Sequence, residues 1–228
     1  MNILNYNTMC FNEVPEFDSI RMFTTKKDNI KTSEQIFNDT CMTYDINKEN
    51  IASCVQIHSN IVSFVDKPGV YKNIDGLVTC MDNGITLKIQ TADCVPIFMV
   101  DKINRLIGLV HSGWKGTKNS IILSALNIFI NHGSDTKNIV VCIGPCIKEC
   151  CYEVKEDVSK YFDKKNIVNR DSKIFLDLIS KIKYDLYENG ISKIFESDIC
   201  TYHNEEYYSY RREQGSNARM YSMLGYKE

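Results

Sequence analysis

The strongest pattern along the chain is a pair of near-continuous apolar runs, Val95–Val100 and Leu106–Val110, separated by Asp101, Lys102, Ile103, Asn104 and Arg105. Two runs of strand length joined by a short polar connection predict an antiparallel hairpin. With 101–104 as a four-residue turn, Val100 faces Arg105 and Cys94 faces His111. Directly opposed residues share a face, with β-carbons ~4.5–5.5 Å apart, so this register brings a thiol and an imidazole together. A slip of one residue would put them on opposite faces.

Around the hairpin, "IASCVQIHSNIVSFVD" reads as two short strands about a turn, with His58 at the end of the first, and "GLVTCM" and "ITLKIQT" read as two more. In "GTKNSIILSALNIFINHG", Ile121, Ile122, Ala125, Leu126 and Phe129 recur at helical spacing and Gly133 marks a stop. "NIVVCIGP" is a further strand and "YEVKEDVSKYF" a short helix. "SKIFLDLISKIKYDLYENG" predicts a second long helix, with Ser172 as cap, Ile174, Phe175, Leu178, Ile179, Ile182 and Leu186 on one stripe, and Gly190 at its end. Strands cluster and helices are interspersed without strict alternation. This predicts an α+β fold, with mixed β-sheets flanked by helices.

Charge narrows the function. The 27 basic and 29 acidic residues leave a formal charge of -2, which argues against an electrostatically driven nucleic-acid or membrane surface and favours small partners. The N-terminal stretch lacks the basic start and apolar block of a secretory signal, and no apolar run approaches the ~20 residues that cross a bilayer. A cytoplasmic protein is expected, folded as one domain over residues 1–228. In that compartment the ten cysteines are expected to be free thiols, core fillers or ligands rather than disulfides.

His58, Cys94 and His111 are the candidates for a three-ligand site of the kind zinc favours, with one position left open for water or substrate. The bland alternative makes Cys94 a small buried hydrophobe and each histidine a polar strand end. His111-Ser112-Gly113-Trp114-Lys115-Gly116 follows a strand and precedes a helix, so an anion could sit there beside Lys115. Arg211, Arg212 and Arg219 could bind phosphate, or form a solvated edge. Asp93 adjoins Cys94 and either orients a ligand or serves a turn, and Asp75 reads as a turn former. Cys142, Cys146, Cys150 and Cys151 have spacings unlike those of common zinc or iron–sulfur sites, and read as small side chains around a turn. His132 reads as a helix-end cation, while His203 and Cys200 have no partner that spacing assigns.

"VQIHS", "TADCVPIFMVD", "GLVHSGWKGT", "IGPCIKECCYEV" and "CTYHNEEYYSYRRE" occur in the order and spacing of a known family, and together they cover nearly the whole chain from about residue 20. The chain resembles the YfiH-type purine nucleoside phosphorylases, also called polyphenol oxidase or laccase-like proteins. The resemblance implies a compact sandwich-like core and a zinc ion held at His58, Cys94 and His111. It further implies phosphorolysis of purine nucleosides (adenosine, inosine, guanosine, methylthioadenosine), with adenosine deamination in some members. Two family features differ here. Lys26 stands near a position where an arginine followed by paired glycines is frequent, and Ala218-Arg219 replaces a glycine–arginine pair. Copper is an alternative ion, but four histidines cannot furnish the several imidazole-rich centres of multicopper oxidation. Two other classes stay open: a cysteine hydrolase with Cys94 as nucleophile and His111 as base, and a non-catalytic zinc-binding or redox-sensing protein.

Overall fold

The computed structural model describes residues 8–10 and 19–226. In chain order its elements are β1 (Thr8–Cys10), β2 (Ile20–Thr25), α1 (Ser33–Thr43), β3 (Ile51–Val55), β4 (Val62–Phe64), β5 (Gly69–Lys72), β6 (Gly76–Cys80), β7 (Thr86–Thr91), β8 (Val95–Asp101), β9 (Leu106–Ser112), α2 (Trp114–Lys118), α3 (Ile121–Asn131), β10 (Val140–Ile143), β11 (Glu153–Val154), α4 (Glu156–Ser159), β12 (Ile167–Arg170), β13 (Lys173–Leu176), α5 (Leu178–Glu188), β14 (Lys193–Glu196) and β15 (Met220–Tyr226). One six-stranded sheet runs β1-β2-β15-β7-β3-β5, a second runs β14-β10-β8-β9-β6-β4, and β11-β13-β12 form a small third sheet. The fold is α+β with mixed sheets, as the dispersed helices predict.

The apolar runs are continuous because the second sheet is covered on both faces. Phe98, Val100, Ile107 and Leu109 point toward the first sheet and pack with its Met22, Leu87, Ile89 and Leu224. Ile97, Met99 and Val110 point the other way, onto Ile122, Leu126 and Phe129 of α3 and Ile182 and Leu186 of α5. The layers are therefore sheet, sheet and helices.

The hairpin register differs from the expected one by two residues. Val100 pairs with Ile107, Asp101 with Leu106 and Pro96 with His111. The strand continues through Asp101, and the turn occupies 102–105. Asp101 Oδ1 accepts the backbone N–H groups of Ile103 (2.9 Å) and Asn104 (3.1 Å), and Oδ2 accepts Asn104 Nδ2 (2.9 Å). Arg105 closes the turn at φ 54°. A polar residue that looked like loop is a buried cap on the strand end. Because the shift is two and not one, every side chain keeps its predicted face.

Two further expectations need correction. Ser172 does not cap the second long helix, because Lys173–Leu176 pairs with β12 as a strand. Asp171 and Ser172 both have positive φ (50° and 59°), the conformation of a tight hairpin turn. The helix starts only after Asp177, whose side chain accepts the Ser180 N–H at 2.9 Å. β3 and β4 both exist, but they belong to different sheets, so the segment between them crosses the open end of the sandwich.

Burial opposes charge on Asp101, and the donors around the turn outweigh it, holding its carboxyl below its ordinary value. The resulting stabilisation is complete above the ordinary aspartate range and is lost as pH falls through the lowered value. Asp101→Ala should cost about 1–3 kcal/mol at neutral pH, a deficit that shrinks toward strongly acidic pH, as read by urea denaturation over a pH series.

Candidate metal centre

His111 lies near the end of β9 and follows Ile107 and Leu109 on the face toward the first sheet. Cys94 precedes β8, and alternation puts it on the same face as Phe98 and Val100. Both therefore point into the space between the sheets where the apolar filling stops. His58 sits three residues beyond β3, in the crossing segment, with φ 61°. The three donor atoms lie within 4.8 Å of one another, and the two imidazoles meet edge to face at 4.8 Å between centroids. His111 is buried, Cys94 half-buried and His58 exposed, so the cluster opens outward on the His58 side.

Extending the hairpin register places Gly113 opposite Cys94. A β-carbon on Gly113 would lie 3.0 Å from Cys94 Sγ and 3.0 Å from His58 Cδ2. The glycine is needed for this close approach, since a side chain would fill the gap the donors share.

One buried carboxylate arranges both imidazoles. Asp75, just ahead of β6, accepts His111 Nδ1–H on Oδ1 at 2.8 Å, which leaves Nε2 as the free donor atom of the ring. The same carboxylate accepts the backbone N–H groups of Ile57 (3.3 Å), His58 (2.9 Å) and Ser59 (2.6 Å), and Ser59 Oγ–H (2.7 Å). These bonds hold the left-handed backbone at His58. Asp75 is fully buried, which corrects its reading as a turn former. The missed signal was strand pairing, because Gly76 opposite Val110 puts the preceding residue beside His111.

Burial disfavours the Cys94 thiolate, but the charge and hydrogen bonds of His111 and His58 outweigh it and bring the thiol down to about 6. Burial also disfavours protonated His111, yet the Cys94 thiolate and Asp75 raise it to about 9. Asp75 is held well below the usual carboxylate range, against its own burial, by hydrogen bonds from His111 and Ser59. His111 and Asp75 thus together favour the thiolate form of Cys94, and a cation that takes the sulfur competes with a proton for the ring nitrogen beside it. One thiolate and two imidazole nitrogens form a donor set suited to a single zinc ion with a position to spare.

The other residues singled out in the sequence divide into two groups. Asp93, at φ 88°, is buried and points away from the cluster; its carboxylate accepts Thr201 Oγ1–H and the Arg211 backbone N–H, both at 2.7 Å. Arg211 is exposed, with its guanidinium 5.4 Å from the Tyr152 ring centroid and Nη1 donating to the Glu153 carbonyl at 2.7 Å. Lys115 is exposed in α2, with Nζ 5.7 Å from the Trp114 ring centroid. Arg212 is engaged by backbone, donating to the carbonyls of Thr201 (2.6 Å), Tyr202 (3.0 Å), Asn204 (3.4 Å) and Tyr207 (2.5 Å). Arg219 donates to the Ser216 and Ala218 carbonyls at 2.6 and 2.8 Å. Lys26 pairs with Glu206 at 2.9 Å. Cys142 and Cys146 are fully buried core residues. His132 closes α3, with Nδ1 2.8 Å from the Ile128 carbonyl.

An α+β sandwich with a histidine–cysteine–histidine cluster at its mouth now stands beside known proteins. The chain belongs to the family described as multi-copper polyphenol oxidoreductase laccase, whose sequence profile matches residues 12–227. It is 35% identical over 205 residues to a purine nucleoside phosphorylase of Borreliella burgdorferi, covering 86% of this chain and 88% of that one. It is 32% identical over 239 residues to a purine nucleoside phosphorylase of Clostridium acetobutylicum, covering 98% and 99%. The fold matches the crystal structure of the hypothetical protein YfiH of Bacillus licheniformis, with a TM-score of 0.87 at 25% identity over 99% of this chain and 98% of that one.

Asp75→Asn keeps the shape of the carboxylate but gives His111 a poorer partner. It should weaken metal retention by ~10–100-fold in a chelator competition. Gly113→Ala should weaken it as well, by pushing Cys94 and His58 apart.

Proposed function

We propose that this protein is a zinc-dependent purine nucleoside phosphorylase, cleaving adenosine, inosine, guanosine or methylthioadenosine with phosphate to give the free base and ribose 1-phosphate. The observation that carries this reading is the convergence of His58, Cys94 and His111 at the open end of the sandwich, in a chain 35% identical to a protein named for that activity. A zinc ion there would act as a Lewis acid toward an oxygen or nitrogen of the bound reactants. The copper in the family's description is matched here by only four histidines in the entire chain, too few for several copper centres.

The chain's own groups supply the rest. Asp75 fixes which nitrogen of His111 faces the site and holds the His58 segment in place. Asp93 anchors the backbone at Arg211, whose exposed guanidinium spends one N–H on the Glu153 carbonyl and can offer its others, with the Lys115 ammonium, to a phosphate. Arg212 serves the local backbone, because its donors already meet carbonyls. A phosphate oxygen attacks ribose C1′, the C1′–N9 bond breaks, and the base leaves with the bonding pair and takes up a proton. Deamination of adenosine, in which water replaces the 6-amino group and ammonia departs, is a second activity of the same cleft. Among the described residues no helix is long and apolar enough to cross a membrane, which accords with a cytoplasmic enzyme acting on small molecules.

The direct contact of Cys94 with His111 favours one competing reading, a cysteine hydrolase with Cys94 as nucleophile. Incubation with adenosine or inosine, with and without phosphate, separates the two. Phosphate-dependent release of base that a chelator abolishes is expected, and His58→Ala or Cys94→Ala should each lower it by more than about 100-fold. Turnover that survives chelation, or a fully active Cys94→Ala protein, would overturn the assignment.

A further inference from the structure

Cys150, Cys151, Cys200 and His203 offer three sulfurs and an imidazole nitrogen within 4.8 Å of one another. Two tight turns bring them together. Cys150 and Cys151 end the turn that Cys151 N–H and Tyr152 N–H close on the Lys148 carbonyl, at 2.9 and 2.8 Å. Cys200 and His203 share the turn that Asn204 N–H closes on the Cys200 carbonyl at 2.9 Å. A bridge between Cys146 and Cys200, with Thr201 N–H donating to the Cys146 carbonyl at 3.0 Å, fixes one turn against the other. Arg212 locks the second turn from behind through the carbonyls of Thr201, Tyr202 and Asn204.

The His203 ring lies between two of the thiols, with Nδ1 3.7 Å from Cys150 Sγ and Nε2 3.2 Å from Cys151 Sγ. A tetrahedral zinc site with Zn–S near 2.3 Å and Zn–N near 2.0–2.1 Å has donor–donor edges of roughly 3.5–3.8 Å. With one nitrogen taken from His203, the four donor atoms all lie within 4.8 Å of one another, so no edge exceeds that geometry by more than about an ångström.

We propose that Cys150, Cys151, Cys200 and His203 form a second metal site, a closed three-cysteine, one-histidine centre for a thiophilic divalent cation such as zinc. Four protein ligands leave no position for a reactant, so its role is structural. It cross-links the segment after β10 to the segment before β15, two stretches far apart in the chain that flank the His58–Cys94–His111 cluster. Thr201, next to Cys200, donates to Asp93, next to Cys94, so the cross-link steadies the wall that carries Arg211. Binding releases the thiol protons and needs no oxidant.

The test is zinc content and X-ray absorption on full-length protein purified under reducing conditions. The double variant His58→Ala, Cys94→Ala removes the first cluster, and it should retain one zinc per chain with three sulfur ligands and one imidazole. Adding Cys151→Ala and His203→Ala should abolish that zinc and lower the melting temperature. In unmodified protein, which serves if the variants do not fold, the mean sulfur count per zinc should be two or more. A mean of one sulfur, a double variant without zinc, or a disulfide joining Cys150 to Cys151 or Cys200 would overturn the second site. None of these readouts depends on nucleoside turnover.

Discussion

The buried Asp75 carboxylate is the constraint on which the candidate site depends. It has almost no access to water, so its charge is tolerable only while it is fully hydrogen-bonded. The protein surrounds it with three backbone amides, a hydroxyl and an imidazole N–H. Each of those donors belongs to the segment or the ring that positions the His58–Cys94–His111 cluster. Meeting the needs of one anion therefore fixes a loop backbone, a ring orientation and a choice of tautomer together, and none can relax without leaving charge unpaired.

The sandwich delivers the parts to that anion. β8 and β9 are rigid because both their faces are packed, one against the other sheet and one against α3 and α5. Cys94 and His111 are the residues at which this packing gives way to polar groups. His58 comes from a different kind of element, a segment passing from one sheet to the other. Two of the candidate donors thus ride on the stiffest part of the molecule, and the third on a loop held by hydrogen bonds to Asp75.

What could be read from the sequence follows from the range of the interaction involved. The two strands, their shared face and the cysteine–histidine pair were legible because alternation is local. The register was two residues out because Asp101 looks like loop, and only its burial shows it to be a cap. Ile174 and Phe175 fit a helical stripe by spacing, but the turn at Asp171 and Ser172 assigns them to a strand. Asp75 was missed because an aspartate before glycine signals a turn, and its partners are set by the pairing of β6 with β9. His203 and Cys200 looked partnerless because their neighbours, Cys150 and Cys151, lie on a remote turn. The family resemblance reached His58 as the bottom-up reading did, but neither pointed to the carboxylate behind it.

The position of β15 also bears on how the molecule comes into being. It lies between β2 and β7, and it pairs Ser222 with Thr24. During synthesis the hairpin of β8 and β9 can form early from neighbouring residues, whereas β2 has to wait for a strand almost two hundred positions downstream. Until that strand emerges from the ribosome, the facing edges of β2 and β7 lack the backbone partner they share. A nascent chain in that interval is the form most exposed to aggregation and to chaperone capture.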